Sequence, residues 1–302
     1  MLCRVLILMI LINSFNVFAR AAEDSMAQEW NPSSAGTVTT WTAPLCGKGK
    51  FVIQPFLFYN RTRGNFDSDG KDHGLAKGDK KYQYQEQLFM QYGITDRLEI
   101  DAQAVYQENY IKQEGLSAHK NGFGDSYLFL RYCALEEKGW LPHLTGLLQL
   151  RIPTGKYQHL NPDKLETDSM GNGSWDPGFG FNLTKKLKPF IFHADAIFSF
   201  SQKVMIDGVK TRYASYANYD FGVEYFLPKG FNLMLEANGY LQGDTWQDGQ
   251  RTASTAINYL TISPGVGWSC DKVQLLLAYQ RVVLGTNTDA NDSIVLTGVY
   301  TF

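Results

Sequence analysis

The sequence is poor in cysteine, in excess charge of either sign and in long apolar runs. It has four cysteines among 302 residues and a net charge of −2, and it lacks the basic stripe of a nucleic-acid-binding protein. After the first 21 residues, no apolar run reaches the roughly 20 residues of a membrane-spanning helix. GxSxG, HExxH, paired CxxC and phosphate-loop motifs are also missing. These gaps argue against nucleic-acid binding, a helical membrane protein and the commonest hydrolases and metalloenzymes.

The first 21 residues have the pattern of a secretory signal peptide. Arg4 supplies a positive charge, residues 5–12 form a short apolar core, and Ala19-Arg20-Ala21 offers a cleavage site. The apolar core is too short to span a bilayer, which argues against a retained anchor. We therefore expect export across the inner membrane and removal of residues 1–21.

Aromatic residues are abundant, at 14% of the chain, and they fall in segments of about ten residues with period-two alternation. A tilted strand needs about that length to cross the hydrocarbon of a membrane. The segments begin near Phe51, Tyr82, Leu98, Phe123, Leu141, Gly173, Pro189, Tyr213, Phe231, Ser254, Asp271 and Asp292. The sequence therefore predicts an all-β protein: a single antiparallel up-and-down transmembrane β-barrel of about 12 strands, over residues 50–302.

Alternation is clearest in the second half of the chain. From Phe190 to Phe200 the even positions are Phe or Ala, whereas the odd positions include His193 and Asp195. In a transmembrane barrel the apolar face meets lipid and the polar face lines a wet lumen. A soluble β-sandwich would instead have to bury these polar groups in a dry core between two sheets. The pattern therefore favours the barrel.

The predicted connections alternate between short and long. Short turns follow the even-numbered strands, and long polar loops follow the odd-numbered strands. The long loops cover residues 61–80, 111–122, 154–172, 203–211, 244–252 and 285–291. Outer-membrane barrels have this asymmetry, with short periplasmic turns and long extracellular loops. The last strand ends in Tyr300 and Phe302, a partial match to the C-terminal signal that the outer-membrane barrel assembly machinery recognises.

Strand parity also places charged side chains on the lumen face. These lumen-lining candidates are Glu99, Asp101, Asp125, Arg131, Arg151, Asp176, His193, Asp195, Asp220, Glu224 and Glu236. In a water-filled channel such charges set selectivity, whereas in a narrow or plugged barrel they pair with one another. The sequence leaves both interpretations open. The excess of carboxylates disfavours an anion-selective pore.

The segment at residues 22–49 is polar and has no strand period, so we predict either a disordered periplasmic leader or a lumen plug. Trp41 is the residue that makes a plug plausible. Three cysteines, Cys46, Cys133 and Cys270, map to the periplasmic end of the barrel. The periplasm permits disulfides, but their pairing does not follow from the sequence.

The first long loop contains a weak calcium candidate. Asp67, Asp69 and Asp72 have oxygen ligands at a suitable spacing, but the twelve-residue EF-hand pattern and its terminal Glu are missing. A solvated Asp/Gly hairpin tip explains the same residues. No catalytic residue and no cofactor are expected elsewhere.

Several stretches resemble the outer-membrane family named for the MetA pathway of phenol degradation. They are YGITDRLEI at residues 92–100, GFGDSYLFLRY at 122–132, LQLRIPTGKY at 148–157 and GNGSWDPGFGFNLTK at 171–185. With the strand rhythm, the resemblance covers residues 40–302. It implies a transporter barrel for small, often aromatic or hydrophobic compounds.

The first functional hypothesis is therefore an outer-membrane channel of a Gram-negative bacterium, passing small solutes by passive diffusion. Its expected partners are outer-membrane lipid, lipopolysaccharide and a small-molecule solute, with no nucleic acid. The alternative is a non-transport barrel: a lipid-modifying outer-membrane enzyme, or a structural or adhesive protein acting through its extracellular loops. A Ser–His–acid site at the outer rim is not excluded by the sequence, but no residue spacing suggests one.

Overall fold

The structure is a computed structural model that describes Trp30, Pro32, Ser34 and residues 36–302. The predicted signal peptide, residues 1–21, lies outside the described residues. Across residues 36–302 twelve long strands form one antiparallel sheet. They are β1 (Phe51–Phe66), β2 (Lys80–Thr95), β3 (Leu98–Gln113), β4 (Ser126–Leu135), β5 (His143–Ile152), β6 (Asp176–Leu187), β7 (Phe190–Ser199), β8 (Tyr216–Phe226), β9 (Phe231–Gln242), β10 (Ile257–Cys270), β11 (Val273–Thr286) and β12 (Thr288–Thr301).

Each strand pairs with the next one along the chain, and β12 pairs antiparallel with β1, so the sheet closes on itself. Closure satisfies every edge, which a sheet in lipid requires because no water is present to bond the backbone. The predicted twelve-stranded up-and-down barrel is thereby confirmed. The last residue, Phe302, lies at the end with the short turns, which is the periplasmic end in barrels of this type.

The two faces of the wall differ as the alternation predicts. On β7, Ile191, His193 and Asp195 are buried, whereas Phe190 and Phe198 are exposed on the outside. Large apolar side chains are exposed in the same way all around the outer wall, which suits contact with lipid. The inward face is buried although it is polar, so something other than bulk water must satisfy its charges.

Two of the predicted long loops are wrong. Residues 111–122 form a tight hairpin, because β3 turns at Glu114-Gly115 and a strand at Leu116–Phe123 returns along it before β4 begins. Residues 285–291 hold only a one-residue turn at Asn287 between β11 and β12. Both stretches consist mostly of polar and small residues, so they show no apolar alternation.

The remaining extracellular connections carry small ordered elements. A strand at Asp72–Gly74 pairs with the end of β1. A separate four-stranded sheet is built from Val204–Ile206, Val209–Arg212, Trp246–Gln247 and Gln250–Arg251. Among the described residues the helices are two single 3-10 turns, Pro162–Lys164 and Pro228–Gly230. None of the helices in this part of the chain is long and apolar enough to cross a membrane.

Candidate functional site: the lumen and its inserted segment

The charged lumen residues lie in three groups. The periplasmic group centres on Arg131, whose Nη1 lies 2.7 Å from Glu99 Oε1 and 3.9 Å from Asp101 Oδ2. All three side chains are at most 1% exposed. Because an unpaired charge is costly to bury, the buried Arg131 depends on Glu99 at hydrogen-bond distance and on Asp101 nearby.

The extracellular group centres on Arg151, which lies 2.6 Å from Asp125 and 3.4 Å from Asp176. Asp125 also accepts hydrogen bonds from the backbone N–H groups of Gly155 and Asn172. These contacts fold the loop between β5 and β6 inward over the lumen.

Histidine and carboxylate side chains on β7, β8 and β9 form a third buried set. His193 Nε2 lies 2.9 Å from Glu224 Oε1, and its Nδ1 lies 3.0 Å from Thr184 Oγ1. Asp195 and Asp220 face each other across the β7–β8 ladder. These candidates from the sequence are therefore brought together in the lumen, paired rather than free in water.

A segment at residues 36–50, called here the inserted segment, lies against these lumen side chains. The carboxylate of Glu236 accepts hydrogen bonds from three successive backbone N–H groups, those of Val38, Thr39 and Thr40, at 2.7–3.0 Å. The hydroxyls of Thr39 and Thr40 donate to it as well. Glu236 on β9 therefore holds one side of the segment with five hydrogen bonds.

The opposite side of the inserted segment is held by β3 to β7. Asp195 accepts the Trp41 N–H at 2.8 Å, and Glu99 accepts the Cys46 N–H at 2.6 Å. Thr184 accepts from the Ala43 N–H, and Thr145 donates to the Ala43 carbonyl. The sequence did not single out the two threonines, although their parity places them on the lumen face.

Trp41 packs the segment against an apolar cluster inside the lumen. Its ring lies 5.1 Å from that of Phe89 and 4.8 Å from that of Phe129, and the Arg131 guanidinium sits 5.3 Å from it. Gly222 leaves room on the other wall, because a Cβ there would come within 2.8 Å of Thr37 Oγ1. The segment is thus fitted to the wall by shape as well as by hydrogen bonds.

Between the inserted segment and the wall formed by β1, β2 and β12 lies a cavity of about 340 Å³. Its apolar lining includes Trp41, Phe56, Phe58 and Phe89. Its polar lining consists largely of the amides of Gln54, Gln87, Gln91, Gln103 and Gln274. The cavity thus offers aromatic faces and neutral hydrogen-bonding groups, and its charged lining residues are Lys50, Arg131, Asp271 and Lys272.

Comparison with known proteins agrees with this architecture. The family described as "Putative MetA-pathway of phenol degradation" matches residues 79–297, more than half of the chain. The chain belongs to this family.

Solved structures share the fold. The COG4313 outer membrane channel from Pseudomonas putida F1 superposes with a TM-score of 0.70 at 16% identity, over 91% of this chain and 100% of that one. The NanC porin superposes with a TM-score of 0.50 at 10% identity, over 82% and 98% of the two chains. Among curated proteins none matches the sequence. Both likenesses show that this family member shares the fold of outer-membrane barrels.

In this family member the calcium candidates Asp67 and Asp72 are bonded to neighbouring groups of the protein. Asp67 accepts the N–H groups of Asp69 and Lys71 and bonds His73 at 2.7 Å, and the bond to His73 lowers the pKa of Asp67. Asp72 pairs with Arg63 instead. No group of three or more His, Cys, Asp or Glu side chains within the described ranges is arranged to hold a metal. Tyr300 and Phe302 are exposed on the outer wall with their rings 4.7 Å apart.

The rate of alkylation should distinguish two cysteines of this protein, Cys270 and Cys46. Within the described residues Cys46, Cys133 and Cys270 are free thiols. Burial and a hydrogen bond with Glu99 raise the pKa of Cys46 to about 12, and only the thiolate is nucleophilic. We expect iodoacetamide at mildly alkaline pH to modify the exposed Cys270 well before Cys46, as read by mass spectrometry. Unfolded chain should lose this order, and equal rates in the folded barrel would contradict it.

Proposed function

We propose that this protein is an outer-membrane channel through which small hydrophobic or aromatic solutes diffuse passively, along the cavity between the inserted segment and the β1–β2–β12 wall. The observation that carries the proposal is the lining of that cavity. Aromatic rings offer stacking faces, and neutral amides satisfy a hydroxyl or carbonyl without binding an ion tightly. A ligand site of this kind combines apolar walls with a few polar groups.

The charged residues support the same reading. Several lumen carboxylates are bonded to Arg131, Arg151, His193 or the backbone of the inserted segment. None of these lumen carboxylates lines the cavity. The solute route then depends on Phe56, Phe58 and the glutamine amides, which favours a ring-bearing neutral solute over a hydrophilic ion.

The family and its relatives support transport without naming a solute. The COG4313 relative is described as an outer membrane channel and NanC as a porin. The family description refers to phenol degradation. We propose from these that the solutes of this chain are small aromatic compounds, and that the inserted segment acts as a plug that narrows the route to them.

A liposome uptake experiment tests the solute class. Full-length protein is reconstituted, and swelling rates are compared for an aryl glucoside and for maltose, two uncharged solutes that cross lipid poorly. Stacking contributes about 0.5–1.5 kcal/mol per aromatic contact, so the aryl glucoside should enter roughly two- to tenfold faster.

Paired variants make the result specific. Phe56→Gln with Phe58→Gln should abolish the preference, whereas Phe56→Leu with Phe58→Leu keeps an apolar wall and should retain part of it. Equal rates for the two solutes, or no entry of either one, would refute the proposed route.

A further inference from the structure

A repeated pairing of tyrosine and cation marks one side of the outer wall. On four strands a lipid-facing tyrosine is followed, two residues toward the extracellular end, by a lysine or arginine on the same face. The pairs are Tyr59 and Arg61 on β1, Tyr82 and Lys80 on β2, Tyr110 and Lys112 on β3, and Tyr279 and Arg281 on β11. The four cations are called here the basic patch.

Strand pairing makes the basic patch continuous. Lys80 faces Lys112 across the β2–β3 ladder, and Asp292 of β12 faces both Arg61 and Arg281. The tyrosines beneath are equally close, since the rings of Tyr82 and Tyr110 stack at 4.4 Å. The patch therefore spans five neighbouring strands, with an aromatic layer directly on its membrane side.

The basic patch keeps an excess of positive charge. Asp292 is shared, with its Oδ1 3.7 Å from the Nε atoms of both Arg63 and Arg281. Arg61, Lys80 and Lys112 form no ion pair with any carboxylate in the described part of the chain. Two further carboxylates, Glu86 and Glu108, lie on the same face but nearer the membrane centre, so an anion is favoured at the level of the cations and not below it.

The opposite wall has no counterpart on the long strands β5 to β9, although Arg212 and Trp246 pair on the small extracellular sheet above them. At the extracellular ends of β5 to β9 the last lipid-facing residues are uncharged: Ile152, Pro177, Phe198, Ala217 and Leu241. Cations spread evenly around the rim would reflect only a general preference for the membrane surface. Their restriction to β11 and β1–β3 indicates a localised site.

We propose that the basic patch binds the phosphates of the lipid A part of lipopolysaccharide in the outer leaflet, with the acyl chains lying on the tyrosines and the apolar wall below. Tyrosine prefers the boundary between hydrocarbon and headgroup. Lysine and arginine just beyond it reach the phosphate level, and the arginine fork bonds phosphate oxygens in pairs. The complementarity is therefore to a phosphorylated, acylated ligand.

The test uses the full-length barrel in detergent micelles and native mass spectrometry to count bound lipid. The probes are bisphosphorylated lipid A, dephosphorylated lipid A and inorganic phosphate as a competitor. The patch variant combines Arg61→Gln, Lys80→Gln and Lys112→Gln. The control removes three cations from the periplasmic turns, through Lys138→Gln, Lys229→Gln and Lys272→Gln. Heat-modifiable gel migration checks that each variant remains a closed barrel.

The unaltered barrel and the periplasmic control should both retain lipid A. The patch variant should bind it at least about tenfold more weakly, because each cation near an anionic lipid surface adds several-fold to affinity. Binding that is unchanged in the patch variant overturns the proposal, and so does an equal loss in the control. Equal binding of dephosphorylated lipid A would show that the phosphates are not recognised, and it would overturn the proposal. Displacement of lipid A by an equimolar amount of inorganic phosphate would show that the patch recognises phosphate alone, and it would also overturn the proposal.

Discussion

Deleting residues 36–46 is expected to raise the single-channel conductance of the reconstituted barrel by about tenfold, because the inserted segment fills much of a lumen that twelve strands would otherwise leave open. The segment bonds Glu236, Asp195, Thr184 and Glu99 on several different strands, so it crosses the pore and does not merely line one wall. Planar-bilayer recording measures the change directly.

Two further variants test this prediction more closely. Deletion of residues 22–29 leaves the inserted segment intact, and its conductance should match that of the full chain. Gly222→Val should shift the segment without removing it, because even a Cβ at this position meets Thr37 and Thr40 at 2.8–3.2 Å. We expect an intermediate conductance and more open-channel noise from Gly222→Val. If deletion of residues 36–46 left the conductance unchanged, the segment would not be the barrier.

Replacing Arg131 by Leu is expected to destabilise the barrel by about 3–5 kcal/mol, because it leaves buried carboxylates without their cation. Glu99 and Asp101 are both within 4 Å of Arg131 and have essentially no exposure to solvent. Arg131 also donates to the Thr42 carbonyl, so its loss loosens the inserted segment as well. Urea-dependent unfolding in lipid or detergent, followed by tryptophan fluorescence, measures the shift.

A matched surface variant and a rescue separate this effect from a general loss of charge. Arg97 pairs with Glu136 in an exposed turn, and Arg97→Leu should leave the stability nearly unchanged because an exposed ion pair contributes little. When the unpaired acids of the Arg131→Leu variant are also neutralised, by Glu99→Gln and Asp101→Asn, most of the stability should return. An Arg131→Leu barrel as stable as the original would mean that the lumen carboxylates are hydrated and need no partner.

The strands could be predicted from the sequence wherever the outer face is apolar and the inner face polar. On β7 the Phe/Ala row against His193 and Asp195 is visible in the chain itself, because lipid selects one face and the lumen the other. At the extracellular strand ends both faces carry polar or small residues, so the pattern disappears. For that reason residues 111–122 and 285–291 resembled loops although they continue the strands.

The lumen residues followed from parity, but their partners did not. That Glu236 points inward depends only on its position in β9. Its hydrogen bonds to the backbone of Val38, Thr39 and Thr40 depend on the position of a segment almost two hundred residues away along the chain. No local periodicity encodes the position of that segment. The same limit applies to Trp41, whose aromatic partners lie on β2 and β4.

The bonds of the inserted segment also have a kinetic consequence. The segment directly precedes β1, the strand that closes the ring with β12, while its partners Glu99 and Glu236 lie 53 to 198 positions away from the residues that they bond. Contacts of such high contact order form late, because loop-closure entropy is lost before they are gained. We expect ring closure to come first and docking of the segment second, so that a newly inserted barrel is briefly leaky and then seals in a separate, slower phase.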